Sequence, residues 1–329
     1  MTLMAYSIGI DFGGTKLAIA LVQSKGKIVS HRQKSILDIK KNNPALTAQK
    51  KIIMLMVETI SELRSSFPQA FTKKNFCGVG LASAGPLNVE TGCLINPINF
   101  PGWKTVPIQK MLVKALAESG LPAKVFFQND AMAAALAEGW IGRAKKLTSY
   151  AVITVGTGIG SGVIFQGRPV QTRGMGSEFG HLIAENQNIH NPNSELHEYT
   201  IEGVASGTGI LRRAQKLGYR GSCLEDLVQD LEQGRAQSKI EHQVLFDDAA
   251  DALAALCYNL SIGFNLEKIL FSGGLIKIRY LFFDRMKSRY KHLIEAMNPA
   301  FRTQIQIAKC SNYAGVIGAA SLPLNSFNN

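Results

Sequence analysis

Cysteine is scarce and scattered. The chain's five cysteines, Cys77, Cys93, Cys223, Cys257 and Cys310, form no Cys-x-x-Cys pair, so neither a disulfide framework nor a thiolate zinc site is expected. They read instead as reduced residues packed as small hydrophobes. No apolar run reaches the ~18 residues that span a bilayer. The opening Met1-Thr2-Leu3-Met4 carries neither a basic n-region nor a small-residue cleavage site, so a cytoplasmic protein without a membrane partner is expected. Aromatic residues make up only 8% of the chain. None is interleaved with the basic groups Lys50-Lys51, Lys73-Lys74, Arg143-Ala144-Lys145-Lys146 and Arg212-Arg213. The net charge of +12 therefore reads as a dispersed, solvated surface that attracts anions, and not as a nucleic-acid interface.

What is present suits a globular protein. Apolar residues are 46% and charged residues 18% of a 329-residue chain, enough for two domains with a cleft between them. Tyr6 to Asp11, Lys16 to Gln23 and Lys27 to Arg32 read as strands joined by turns at Asp11-Phe12-Gly13-Gly14-Thr15 and Ser24-Lys25-Gly26. A helix from about Ala45 to Ser65 carries Ile52, Leu55, Met56, Ile60 and Leu63 at helical spacing. Phe76 to Ala82 is a strand whose Gly78 and Gly80 point to close backbone approach. A strand from Ala123 to Gln128 leads into an alanine-rich helix, Asp130 to Trp140. Tyr150 onward then repeats strand, Gly-Thr turn, strand, turn, strand, the mark of a duplicated β-β-β-α unit. Helices are expected near 207–216, 223–233, 241–265 and 280–297, strands at 268–272 and 304–308, and a small-residue helix from about Gly315. The expected domains are 1–124 and 125–329, with a last helix at about 312–324 packing back on the first.

Four motifs carry chemistry. In Asp11-Phe12-Gly13-Gly14-Thr15-Lys16 the glycines allow the backbone to approach an anion; Thr15 adds a hydroxyl, Lys16 a charge, and Asp11 a carboxylate suited to hydrated Mg²⁺. Gly156-Thr157-Gly158-Ile159-Gly160-Ser161-Gly162 is neither a Walker loop nor a dinucleotide-binding fingerprint, because it lacks Gly-Lys-Ser/Thr and opens no helix. Glycines at alternate positions of a hairpin leave room that a phosphate can fill. Asn129-Asp130 stands where a strand gives way to a helix. A helix cap explains it locally, and a carboxylate at the carboxyl end of a strand is also where an open α/β sheet meets its ligands. Last come Gly176-Ser177-Glu178-Phe179-Gly180-His181 and Glu202 to Gly207, with side chains that can hold vicinal hydroxyls.

Together with Gly80-Leu81-Ala82-Ser83-Ala84-Gly85-Pro86 and Ser272-Gly273-Gly274, these motifs resemble, in order and rough spacing, the ROK family of bacterial sugar kinases and sugar-responsive repressors. The resemblance implies an α/β, actin/hexokinase-like (ribonuclease H-like) fold of duplicated β-β-β-α-β-α domains with an interdomain cleft. It further implies an ATP-dependent sugar kinase, glucose being the first choice of substrate. An N-acetylhexosamine, N-acetylmannosamine or fructose kinase is the alternative, or a non-catalytic sugar sensor. By the same resemblance Asp130 is the catalytic base. Asp11, Gly13, Gly14, Thr15 and Lys16 meet the phosphates with Gly156, Thr157 and Gly158, while Gly273 and Gly274 lie near the adenosine. Asn99, Asn129, Asp130, Glu178, His181 and Glu202 hold the sugar, and ATP arrives with Mg²⁺. The expected partners are these small molecules and a second copy of the chain in a homodimer, without nucleic acid.

Two departures qualify the resemblance. Many family members carry three cysteines between the positions of His181 and Glu202 that bind a structural zinc; Leu182–Ile201 has none, so no zinc is expected, and His190 and His197 are read as hydrogen-bonding or packing residues and not as substitute ligands. Met132 replaces an asparagine common in the family, with little consequence expected. With five residues before Tyr6, a repressor bearing an N-terminal DNA-binding domain is not expected either.

Overall fold

The computed structural model describes residues 4–185, 196–233 and 239–327. Two compact units emerge, one of residues 1–146, 169–176 and 309–329, the other of 147–168 and 177–308. In chain order the first unit contains β1 (Tyr6–Phe12), β2 (Lys16–Gln23), β3 (Ile28–Ser35), α1 (Leu37–Lys41), α2 (Ala45–Ser66) and β4 (Phe76–Ser83). It continues with the short strands β5 (Leu87–Asn88), β6 (Cys93–Ile95) and β7 (Thr105–Val106), then α3 (Ile108–Glu118), β8 (Val125–Asn129) and α4 (Asp130–Trp140). The second unit is built from β9 (Tyr150–Val155), β10 (Ile159–Phe165), β11 (Arg168–Pro169, at whose second residue the unit boundary falls), α5 (Ile201–Ala205), α6 (Gly207–Lys216), α7 (Leu224–Glu232), α8 (Lys239–Phe264), β12 (Lys268–Ser272), α9 (Phe283–Met297) and β13 (Gln304–Ile307). The last helix, α10 (Ala314–Phe327), belongs to the first unit.

The two sheets share one topology: β3-β2-β1-β4-β8 in the first unit and β11-β10-β9-β12-β13 in the second. In each, an antiparallel hairpin (β1/β2, β9/β10) adjoins parallel strands (β1/β4/β8, β9/β12/β13). In the first unit the sequence expectation put the boundary at 124/125, whereas the chain leaves the unit after Lys146. The reason is pairing: Val125–Asn129 runs in register with Val79–Ser83, which fixes β8 and the helix that follows it to the first sheet.

Alternation along β1 sorts its side chains by face. Tyr6, Ile8, Ile10 and Phe12 are buried in one core with Ile52, Met56, Ile60 and Leu63 of α2 and Leu112 and Leu116 of α3. The other face meets α10. Ser7 Oγ donates to the Ala320 carbonyl at 2.7 Å, and a Cβ added to Gly9 would stand 1.9 Å from the Val316 oxygen. One added to Gly80 of β4 would stand 1.8 Å from the Ala319 oxygen, and one on Gly318 1.7 Å from that of Ala133 in α4. Gly80 is therefore the close approach its sequence position implied. Gly80→Val should destabilise the protein by about 3 kcal/mol or more, since backbone must move to admit the side chain. Gly263→Ala, where a Cβ meets nothing within 4 Å, should instead be neutral or gain up to ~1 kcal/mol. Thermal melts of the two variants check both signs.

Some elements have no counterpart among the expected ones. Helix α3 has a readable signature, Ile108, Leu112 and Leu116 recurring every four residues and all buried. The strands of the small sheet, β5 to β7, are two or three residues long and carry no periodicity to read. Among the described residues no helix is long and apolar enough to cross a membrane.

Candidate active site

In the first unit the carboxyl ends of three parallel strands stand side by side, Phe12 paired with Ser83 and Ser83 with Asn129. Asp11 precedes that row on β1 and Asp130 follows it as the first residue of α4. Asn129 caps α4, its Oδ1 accepting the N–H of Ala131 at 2.9 Å and of Met132 at 3.2 Å, which leaves its Nδ2 as the group to offer a ligand. Asp130 Oδ1 accepts from Ala131 N–H at 2.7 Å. That bond lowers the Asp130 pKa, but burial outweighs it and the carboxyl is raised above its ordinary range. Burial first, and then the charge of Asp130, push Asp11 up to about 7. Burial thus leads the shift of both carboxyls, and the charge of Asp130 adds to that of Asp11.

Beyond Asp11 the chain turns through Gly13-Gly14-Thr15, closed by Gly13 N–H donating to the Lys16 carbonyl at 3.0 Å. Thr15 and Lys16 are exposed. The Asn99 side chain lies over Gly14, where a Cβ would come within 2.9 Å of Asn99 Cγ. The amino end of α10 lies against Asp11: a Cβ on Gly315 would stand 2.3 Å from Asp11 Oδ2. Asp11, Gly13, Gly14, Thr15, Lys16, Asn99, Asn129 and Asp130 are therefore gathered at one end of the first unit.

The second unit repeats the arrangement. Gly156 N–H closes the turn by donating to Gly158 O at 2.9 Å. The turn's other carbonyls are held by the amino end of α6, Gly156 O accepting from Gly207 N–H at 2.8 Å and Thr157 O from Thr208 N–H at 3.3 Å. Ser206 caps that helix through Gly209 N–H. Gly273, at φ +99°, lies directly against the end of β9, where a Cβ would meet the Val155 oxygen at 2.3 Å; Gly274 follows it, exposed. Glu178 precedes and His181 closes the turn Phe179-Gly180-His181, both exposed, and the turn is clamped to β10. Ser161 Oγ donates to the Ser177 carbonyl and accepts from Phe179 N–H at 3.0 Å.

Glu202 stands differently from expectation. Its Oε2 accepts the Ile159 N–H at 2.7 Å and occupies the space a Cβ on Gly158 would need. One carboxylate oxygen therefore braces the second glycine turn. Ser161 and the Ser206-Gly207 cap, which stand within the second and fourth motifs but are given no role by the sequence, support the Ser177–Phe179 segment and the second glycine turn. The small-residue run Ala205-Ser206-Gly207-Thr208-Gly209 was the available signal for the cap. His190 lies outside the described residues, as does the side chain of His197.

The ROK family profile matches residues 7–325. The chain belongs to the ROK family. A glucokinase of Thermotoga maritima is 28% identical over 336 residues, covering 96% of each chain. An N-acetylmannosamine kinase of Haemophilus influenzae is 25% identical over 323 residues, covering 95% of this chain and 93% of that one. Among solved structures, a ROK hexokinase of Thermus thermophilus superposes with a TM-score of 0.80 at 25% identity, covering 98% of this chain and 100% of the other. The fold is the α/β, actin/hexokinase-like one. In this ROK protein the glycine turns follow the first strand of each repeat, so duplication alone explains why there are two.

Proposed function

We propose that the protein is an ATP-dependent sugar kinase that transfers the γ-phosphoryl group to a hexose hydroxyl, with Asp130 as the base. The observation that carries this reading is the Asp11/Asp130 pair, two carboxyls raised chiefly by burial, Asp11 also by the charge of Asp130, at the ends of β1 and β8 on either side of β4 and beside a two-glycine turn. Phosphoryl transfer passes through a loose transition state, so the protein's work is to position groups and stabilise charge. Asp130, its basicity increased by burial, orients the hydroxyl and accepts its proton. Amides of the Gly13–Lys16 and Gly156–Gly158 turns meet the phosphates. Glu178, His181, Asn99 and the Nδ2 of Asn129 bind sugar hydroxyls, and Gly273-Gly274 borders the adenosine. Asp11, a carboxylate raised by burial and by the charge of Asp130, fits the magnesium carried by the nucleotide, which would supply neutralisation of phosphate charge.

Glu202 acts on this reading through one oxygen on Ile159 N–H and the other on the sugar. Glu202→Ala should therefore raise KM for both the sugar and ATP, about tenfold each. Initial rates over a matrix of the two substrates test this; an increase confined to the sugar would reduce Glu202 to a sugar ligand.

Glucose is the first substrate, in line with the Thermotoga maritima glucokinase. N-acetylmannosamine is the second, on the similarity to the Haemophilus influenzae enzyme. A coupled assay for ADP release over glucose, N-acetylmannosamine, N-acetylglucosamine and fructose separates them. If no sugar raises ADP release above the rate with ATP alone, the kinase reading fails and a sugar sensor on the same fold takes its place.

A further inference from the structure

The first glycine turn leans on a residue far from it in sequence. Lys40, in the last turn of α1, donates from Nζ to the Gly14 carbonyl at 2.5 Å and to the Asn99 carbonyl at 2.5 Å. The same ammonium stands 4.6 Å from the centroid of the Phe100 ring. Phe100 is itself immobilised, buried between Phe12 at 4.8 Å and Trp103 at 4.5 Å between centroids. The start of α1 is tied to the same turn, Ile36 N–H donating to the Thr15 carbonyl at 3.0 Å. Burial lowers the Lys40 pKa, the sign of an ammonium drawn out of water to make these contacts.

The consequence follows from peptide geometry. A trans peptide is planar, with its N–H pointing opposite to its C=O. Holding the Gly14 carbonyl toward Lys40 therefore turns the N–H of Thr15 to the opposite side of the turn. Glycines rotate at little steric cost, so a Gly-Gly turn does not fix that orientation by itself. A cation on the carbonyl also polarises the peptide and makes its N–H a better donor to an anion. Lys40 holds Asn99 by the backbone, and Asn99 in turn lies over Gly14. A single ammonium thus joins the turn assigned above to phosphate with the loop assigned above to sugar.

We propose that Lys40 is a positioning residue, which locks the Gly14–Thr15 peptide with its N–H presented to the nucleotide's phosphates and couples that turn to the Asn99 loop. The assignment rests on the kinase reading for the identity of the two ligands. Its test uses binding as well as turnover. Lys40→Met keeps most of the aliphatic stem over Phe100 and removes the donors; Lys40→Arg keeps donors and charge.

Calorimetry should show Lys40→Met binding magnesium AMPPNP roughly tenfold or more weakly than the parent. Glucose, or the sugar the panel selects, should bind within about twofold of the parent when nucleotide is absent. The strengthening of nucleotide binding by saturating sugar should shrink toward unity, and Lys40→Arg should restore part of it. Circular dichroism melts accompany each variant, because a purely structural role would lower Tm without moving one affinity apart from the other. Unchanged nucleotide affinity in Lys40→Met overturns the assignment, as does a loss that falls equally on both ligands. If the parent binds nucleotide but phosphorylates no sugar, the kinase reading fails while the effect of Lys40 on nucleotide binding still decides this one. A parent that binds no nucleotide overturns both.

Discussion

Asp130→Asn should lower kcat by about a thousandfold and, at pH 8, raise the melting temperature of the same protein. The first effect follows from removing a general base, worth roughly 10² to 10⁴ in rate. Asparagine has the shape of aspartate, and its Oδ1 can still accept the Ala131 N–H that Asp130 accepts at 2.7 Å, so α4 keeps its first turn. The second effect follows from the raised pKa. Burial is its leading cause, meaning that the folded state disfavours the ionised carboxylate. A raised carboxyl contributes its full stability only below its unfolded value and loses it as pH rises through the folded value. At pH 8 the wild type therefore carries a penalty that asparagine lacks; near pH 3.5 both forms are neutral and the melting temperatures should converge. Steady-state rates in the ADP assay and melts at the two pH values are the measurements. Near-normal turnover would end the catalytic assignment, and a lower melting temperature at pH 8 would show that burial is not what raises the group.

Asp11→Asn should likewise stabilise the protein while weakening its use of MgATP. With Asp11 raised from 3.8 to about 7, at ~1.4 kcal/mol per unit, the ionised form destabilises the fold by about 4 kcal/mol above pH 7. That penalty builds between pH 4 and 7 and is absent below. The opposing term is the amino end of α10, which favours a negative charge by only ~0.3–1 kcal/mol. The penalty wins, so the variant should melt higher at pH 8 and equally at pH 4. A carboxylate acting on magnesium through water is worth about ten- to hundredfold in metal affinity, and kcat/KM for MgATP should fall by that order. Because Asp130 is a cause of the Asp11 shift, the double variant should gain less stability than the two singles added together. Strict additivity would mean that the two carboxylates do not feel each other.

Much of this was legible in the sequence because the signals were local. Asn129 before an alanine-rich run marks the start of α4 by the need to cap its first amides, and the helix begins there. The alternation in β1 and the helical spacing in α2 were equally plain, since each follows from burying one face. What the sequence could not supply was the partner across space. Gly80 announced a close approach, but nothing near it named Ala319 as the neighbour. Nothing in the sequence marks Lys40, because its acceptors are carbonyls at Gly14 and Asn99, and carbonyls leave no trace in residue identity. Glu202 was read from its side-chain chemistry as a sugar ligand, while its bond to a backbone N–H at Ile159 was invisible for the same reason.

The seating of α10 bears on how the protein is made. Ser7 meets Ala320 across 313 positions of chain. A ribosome adding roughly 5–20 residues per second leaves tens of seconds between the two. Until α10 emerges, the sheet face of Ser7, Gly9 and Gly80 lacks the helix that packs on it. The unit that emerges first is therefore closed only after the second unit has been made.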